Sequence, residues 1–405
     1  SLDILTYLWY PDNSGRLILE RSIKAARRGV HVRLVVDDLL TIGQDQGIYE
    51  LNQFPNIEIR MFNPWESRSL LARGGAFIAE MERLNTRMHD KLVIADGHAA
   101  IVGGRNIGDH YFGLSSDYNF HDLDVLGFGH IAEQSNGMFD SFWNSEWVVS
   151  ANSLDVEHDP DFSQRKLREI QWKNSKAIEL EAFGVEPADW TAVLNTTVAE
   201  LHPGTSILVY DEATSEGIAQ NVADHMFPFM NQAQEELLIT NAYIIPAQPG
   251  IDFIKSLTDR GVRVRILTNS LESHDVPAVN SHYRDWRDDL ILAGAELYEA
   301  RAVPEIQSIV DVPPISGEFV GLHTKAFVVD RKKSFIGSMN FDPRSVNINA
   351  EAGAFITSPG LSAELARLMD RDMQPENAWQ VLLDEKGKPY WVNSDETGYK
   401  QPARG

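Results

Sequence analysis

The chain of 405 residues contains no cysteine, which excludes disulfide frameworks and thiolate metal sites and leaves redox compartment unreadable from thiol usage. No run approaches the roughly 18 apolar residues that a membrane-spanning helix needs, and no charged-then-apolar signal segment opens the sequence. Basic residues are in deficit: 36 Lys and Arg stand against 59 Asp and Glu, a formal net charge of -23. That balance disfavours a broad basic surface for phosphate backbones, so nucleic acid is not an expected partner, although a local basic pocket stays open. A strand-like LTYLWY follows Ser1 almost at once, as expected of a chain trimmed from a longer one whose signal or anchor lies upstream. What is present is a 43% hydrophobic content, enough to bury a sizeable core or two.

The chain repeats itself. GVHVRLVVDDL at 29–39 returns as GVRVRILTNSL at 261–271. Each copy follows a helix-like stretch, Arg16 to Arg28 and Ile251 to Arg260, and before each helix lies an apolar strand ending in tyrosine, at Tyr10 and Tyr243. Strand, helix, strand is the right-handed crossover unit of a parallel sheet. The expectation is two α/β halves, residues 1–155 and 206–405, joined by a connecting segment at 156–205 where Pro160, Pro187 and His202-Pro203-Gly204 interrupt the periodicity. A C-terminal helix near Leu361 to Asp370 and a hairpin around Glu385 to Lys388 complete the second half.

A second repeat carries chemistry. MHDKLVIADGHAAIVGGRN at 88–106 and LHTKAFVVDRKKSFIGSMN at 322–340 place His89, Lys91, Asp96 and Asn106 at the spacing of His323, Lys325, Asp330 and Asn340. A strand's period of two puts each histidine and lysine on one face. An ammonium beside an imidazole raises the cost of protonating it, so the pair presents a neutral base or nucleophile next to fixed positive charge. The asparagine, after a glycine turn, supplies amide donors to phosphoryl oxygens. Two copies meeting across a pseudo-twofold interface would surround one phosphoryl group. One histidine would attack phosphorus to form a phosphohistidine, and the other would protonate the leaving alkoxide and later activate the incoming hydroxyl. Two lysines neutralise phosphoryl charge without a metal ion, and HDLD at 121–124 has no second ligand cluster, so no metal or cofactor is expected.

The duplicated motif resembles the HKD motif of the phospholipase D superfamily. GSMNFDPRSVNINAE at 337–351, IVGGRNIGDHYFG at 101–113, DLDVLGFG at 122–129, RLNTRMHDK at 83–91 and NPW at 63–65 are similar to bacterial cardiolipin synthases, with TNSLESHDVPAVNSHYRDWRDDLILAGAELYE at 268–299 pointing to their C-type subgroup. The resemblance implies the phospholipase D fold, two similar α/β/α sandwich halves around one interfacial active site. It implies that His89, Lys91, Asn106, His323, Lys325 and Asn340 are catalytic, with His89 as the nucleophile. It also implies that Asp124 and Glu351 orient the histidines and that Asp96 and Asp330 are structural. Arg105, Ser338 and Arg344 are candidate contacts for anionic lipid, the two arginines being equally suited to structural salt bridges.

The implied activity is a cardiolipin synthase-type phosphatidyltransferase acting on phosphatidylglycerol or another phospholipid donor. Competing readings are a phospholipase D hydrolase releasing phosphatidic acid, a nucleic-acid phosphodiesterase that the charge argues against, and a silent phospholipid-binding module. Phospholipids and a membrane surface are the expected partners; any protein partner is left open. The expected place is the bacterial cell envelope in membrane association, with a secreted or periplasmic enzyme as the alternative. Residues 66–82 and 303–320, each rich in apolar side chains and each preceding a catalytic strand, are expected either to pack in the core or to line a lipid entrance.

Overall fold

A computed structural model describes residues 1–41, 43–65, 85–183, 189–394 and 397–403. The first sheet takes its strands from the apolar runs flanked by the repeats: β1 (Leu2–Thr6), β2 (Val32–Asp37), β3 (Ile57–Phe62), β4 (Leu92–Ala95), β5 (Ala99–Gly103), β7 (Asp124–Phe128) and β8 (Val148–Ser150). Their order is β7-β5-β4-β1-β2-β3-β8, with β1, β2 and β3 parallel. The second sheet has β9 (Thr205–Tyr210), β12 (Glu236–Asn241), β13 (Arg263–Asn269), β14 (Glu296–Ala300), β16 (Lys325–Val329), β17 (Lys333–Gly337), β18 (Ala352–Thr357), β19 (Ala378–Leu383), β20 (Pro389–Val392) and β21 (Thr397–Gly398). Its order is β21-β20-β19-β14-β13-β12-β16-β17-β18-β9. Strands β18 to β19 of that sheet reproduce the first sheet position for position, which is the repeat seen in three dimensions. A hairpin of β10 (Glu212–Thr214) and β11 (Gly217–Ala219) precedes helix Asn221–Met230.

Helices Asn13–Arg27 and Ala247–Thr258 are the crossovers expected from the spacing. Asp12 caps the first by accepting from the Gly15 amide, and Lys24 and Arg27 sit in its last turn where the helix dipole favours positive charge. Ile23 and Ala26 turn its apolar face onto Leu34 and Ile59 of the sheet. The C-terminal helix runs from Pro359 to Asp372, and a hairpin of β19 and β20 surrounds Lys386. Helix Phe162–Asn174, inside the connecting segment, packs on the first half: Leu167 and Ile170 are buried, and Asn174 donates to Glu20 at 2.7 Å.

The inner faces of the two sheets share one core, in which Leu5, Val35, Ile94, Phe139 and Phe142 meet Leu238, Val328, Ile336, Leu365 and Met369. Burying side chains of this size contributes roughly 1.5–3 kcal/mol each, so neither half closes its hydrophobic surface without the other. Phe142→Ala would leave a hole costing about 3–5 kcal/mol. A short parallel pair, β6 (Tyr118–His121) with β15 (Phe319–Leu322), stitches the halves directly ahead of Asp122 and His323. Part of 303–320 is this stitch: the Val312 amide donates to the Gly113 carbonyl at 2.9 Å, Ile306 is buried, and of its large apolar side chains only Val303 and Ile309 stand well exposed. Residues 66–82 lie outside the described residues.

Candidate active site

Each catalytic-motif histidine lies just ahead of its strand, three residues before β4 and two before β16, where the chain is tied to the opposite half. The His89 amide donates to the Ala350 carbonyl at 2.8 Å, and the His323 amide to the His121 carbonyl at 2.9 Å. The residues that follow those carbonyls are carboxylates. His89 Nδ1 meets Glu351 Oε2 at 2.9 Å, and His323 Nδ1 meets Asp122 Oδ2 at 2.6 Å. Both carboxylates are buried, so each imidazole donates its Nδ1–H to its carboxylate and turns Nε2 to the site. Lys91 and Lys325 each donate to the carbonyl of the histidine two residues before them. The ammonium of Lys91 lies 5.2 Å from the centre of the Tyr7 ring, and that of Lys325 lies 6.0 Å from Tyr243.

Asp124 does not hold a histidine. It pairs with Arg105 at 2.7 Å, and Asp122 takes the position expected of it. The strand register explains the difference. Gly103 of β5 faces Asp124, whereas its repeat mate Gly337 of β17 faces Gly353; stepping back two residues makes Asp122 the partner of Glu351. Sequence distance alone misleads because the connection before β7 is longer than the one before β18. The two sides also differ in support. Ser338 Oγ donates to Glu351 Oε2 at 2.5 Å, while the equivalent Gly104 has no side chain, and a Cβ there would stand 2.7 Å from Asp122 Oδ1.

Electrostatics follow from burial. Desolvation, offset by Glu351 and reinforced by Lys91, holds the His89 imidazole down at about 4; burial lowers His323 in the same way, with Lys325 adding to it. Burial brings Lys91 down to about 7 and Lys325 to about 8. Lys325 acts on His89 and Lys91 on His323, so the two motifs converge on one place. An anion arriving there would restore the charge that burial withholds from the lysines.

Asn106 Nδ2 donates to the Tyr111 hydroxyl at 2.8 Å and its Oδ1 accepts from the Leu8 amide at 3.3 Å. Asn340 is buried with its Oδ1 unpartnered. Asp96 and Asp330 stand outside the site at left-handed turn positions, φ 52° and 49°; Asp330 accepts from the amides of Gln234, Glu235 and Glu236. The candidate lipid contacts are spent on protein groups. Arg105 donates to Asp124 and to the carbonyls of Tyr111 and Asp122, Arg344 reaches across to Asn85 at 2.5 Å, and Ser338 serves Glu351. Their donors therefore fix the halves and the carboxylates rather than facing a ligand.

Several supporting residues escaped the motif search. Asp37 Oδ2 accepts from the Met88 amide at 3.1 Å, and Asn269 exchanges hydrogen bonds with Leu322, so both brace the residue before a histidine. These two occupy the same place in the GVHVRLVVDDL and GVRVRILTNSL repeats, a signal that was available. Asp211 straps Glu351 by its backbone, its amide donating to the Glu351 carbonyl at 2.9 Å and its Oδ2 accepting from the Glu351 amide at 3.0 Å. Asp90 is fully buried with neither oxygen partnered, and burial together with Glu351 and Asp211 pushes it well above the usual carboxylate range. Among the described residues no cluster of three or more His, Asp and Glu side chains is placed to hold a metal ion.

The chain is similar to known proteins. Residues 1–143 and 226–373 match the family described as "Cardiolipin synthase, PLD-like domain". The chain is 35% identical over 401 residues to cardiolipin synthase C of Escherichia coli K12, covering 97% of this chain and 84% of that protein. It is 30% identical over 389 residues to an uncharacterized protein of Helicobacter pylori, covering 95% and 76%. Among solved structures, phosphatidylserine synthase of Haemophilus influenzae shares the fold at a TM-score of 0.59 and 16% identity, over 92% of this chain and 81% of that one. The chain belongs to the cardiolipin synthase family of phospholipase D-like proteins.

Proposed function

We propose that the chain is a phosphatidyltransferase of the cardiolipin synthase type, using phosphatidylglycerol as donor and a second lipid's hydroxyl as acceptor. The observation that carries this reading is the crossed pair of histidine–carboxylate contacts, each drawn from both halves, beside two buried lysines. The His89 Nε2 lone pair attacks phosphorus and the bond to the glycerol oxygen breaks. His323 delivers its Nε2 proton to that oxygen. His323 then takes the proton of the acceptor hydroxyl as its oxygen attacks phosphorus and the phosphorus–nitrogen bond breaks. The division of labour rests on the carboxylates. Asp122 gives its Oδ2 to His323 alone at 2.6 Å, which opposes the lowering that burial imposes on that imidazole, whereas Glu351 shares its Oε2 between His89 and Ser338.

Work at the membrane face of the bacterial envelope fits this substrate class. No helix among the described residues is long and apolar enough to cross a membrane. Helix Trp190–Ala199 buries none of its residues, carries no charge and exposes Trp190, Val193, Leu194 and Val198, which supports docking by insertion rather than by charge. Incubation with phosphatidylglycerol vesicles followed by mass spectrometry tests the reading: cardiolipin with free glycerol is the expected product, and phosphatidic acid alone would make the chain a hydrolase.

A further inference from the structure

Each half has a hollow between its first crossover helix and its sheet, and the two hollows are related by the repeat. Trp9, Pro11, Gly15, Leu19 and Leu34 line the first; Ile244, Pro246, Gly250, Ile254 and Ile266 line the second at matching positions. The duplicated fold thus supplies the space twice. The sequence makes only one of them apolar: the first, about 190 Å³, also presents Arg16, Asp37, Thr41, Gln44, Lys166 and Lys173. The second, about 300 Å³, is walled by Met226, Phe227, Met230, Phe253 and Phe341, with Asp342 and Asn347 as its polar members. A close-packed interior carries few voids larger than a water molecule, and an apolar hollow of this size is a poor site for water.

Its position joins it to the site. Phe341 and Asp342 follow Asn340 directly, Ile244 pairs with Phe341 across the chain, and the Asp342 carboxylate acts on both Lys325 and Glu351. We infer that this C-terminal cavity receives an acyl chain of the phospholipid whose phosphate lies between Lys91 and Lys325. The inference rests on the lipid reading and adds to it a chain-length preference. Every methylene moved from water into an apolar site is worth roughly a fourfold change in binding, so a cavity that loses room for two or more costs about tenfold or more.

The test uses the full chain and two variants outside the catalytic residues: Val346→Trp, which fills the cavity, and Phe227→Asp, which charges its half-exposed mouth. Turnover is compared on phosphatidylglycerol with hexadecanoyl and with hexanoyl chains in detergent micelles, and on bis(p-nitrophenyl) phosphate. Both variants should lower kcat/KM on the long-chain lipid about tenfold or more while leaving the short-chain lipid and the chromogenic diester within about twofold. An unchanged long-to-short ratio in both would overturn the inference. Binding of dansylundecanoic acid gives a readout independent of turnover and of whether a variant folds: saturable binding by the unmodified chain is expected, weakened in the variants, and no binding contradicts the cavity's role. If the unmodified chain cleaves the diester and binds the dansyl acid but turns over no phospholipid, the functional reading fails and takes the inference with it. If it turns over both lipids at equal kcat/KM, the inference fails alone.

Discussion

The two halves of the site are built to one plan and finished differently. On the His89 side, Glu351 reaches from the second half and divides its Oε2 between the imidazole and Ser338. On the His323 side, Asp122 reaches from the first half, gives its Oδ2 to the imidazole alone, and is admitted by the missing side chain of Gly104. Asn106 is held by Tyr111 and Leu8, while Asn340 keeps a buried oxygen unpartnered. Duplication supplied two equivalent histidines, and the surroundings separate a nucleophile from an acid. Catalysis of this kind needs two groups of the same type with different proton affinities, which identical halves cannot provide.

The comparison can be broken most severely at the histidines. His89→Ala and His323→Ala should each lower phospholipid turnover by at least about 10³-fold, since each serves in both steps. On a diester with a p-nitrophenyl leaving group, which needs no proton, His323→Ala should still release a first equivalent of nitrophenol in a stopped-flow burst, and His89→Ala should not. Equal bursts would erase the distinction between the sides.

Next come the carboxylates. Asp122→Asn should cost roughly 10²–10⁴-fold in kcat by leaving His323 with the wrong tautomer and no counter-charge. Asp124→Asn should leave kcat within about threefold and lower stability by about 1 kcal/mol through its half-exposed pair with Arg105, read by denaturant melts. The reverse ranking would restore Asp124 as the orienting residue.

The pH profile tests the shared electrostatics. His89 must be neutral to attack, so kcat/KM should fall about tenfold per unit as pH drops below about 4. His323 must carry a proton to act as the acid and is held below the usual imidazole range, so kcat/KM should already decline on the acid side of neutrality, then fall further above about 7 and about 8 as Lys91 and Lys325 lose the charge that holds phosphate. Activity that climbs from pH 7 to 9 contradicts this assignment. The mildest changes lie at the one position where the halves differ by a hydroxyl. Gly104→Ala should push Asp122 aside and cost about tenfold in kcat, whereas Ser338→Ala, which frees Glu351 for His89, should stay within about threefold.

How much of this was legible in the sequence depends on range. The duplicated histidine, lysine and asparagine, the crossover helices and the α/β character follow from spacing and periodicity, which are local. Glu351 was reached through resemblance, but Asp122 was missed because its role is set by the register of β7 on β5, and a register is not written in residue counts. Asp211 and Asp90 were invisible for a related reason: they act through burial beside Glu351, across the shared core, and no motif surrounds them. Arg105 and Arg344 have the charge expected of lipid contacts, and only the structure shows that Asp124 pairs with the first and that the second donates to Asn85.

The central claim, one site with His89 as nucleophile and His323 as acid, is tested most directly by trapping the intermediate. His323→Ala would be mixed with the p-nitrophenyl ester of phosphatidic acid, quenched within the burst, digested at neutral pH and mapped by mass spectrometry. The account predicts a phosphatidyl adduct on the peptide carrying His89. An adduct on the peptide carrying His323 in the complementary His89→Ala protein, with none on His89, would contradict it.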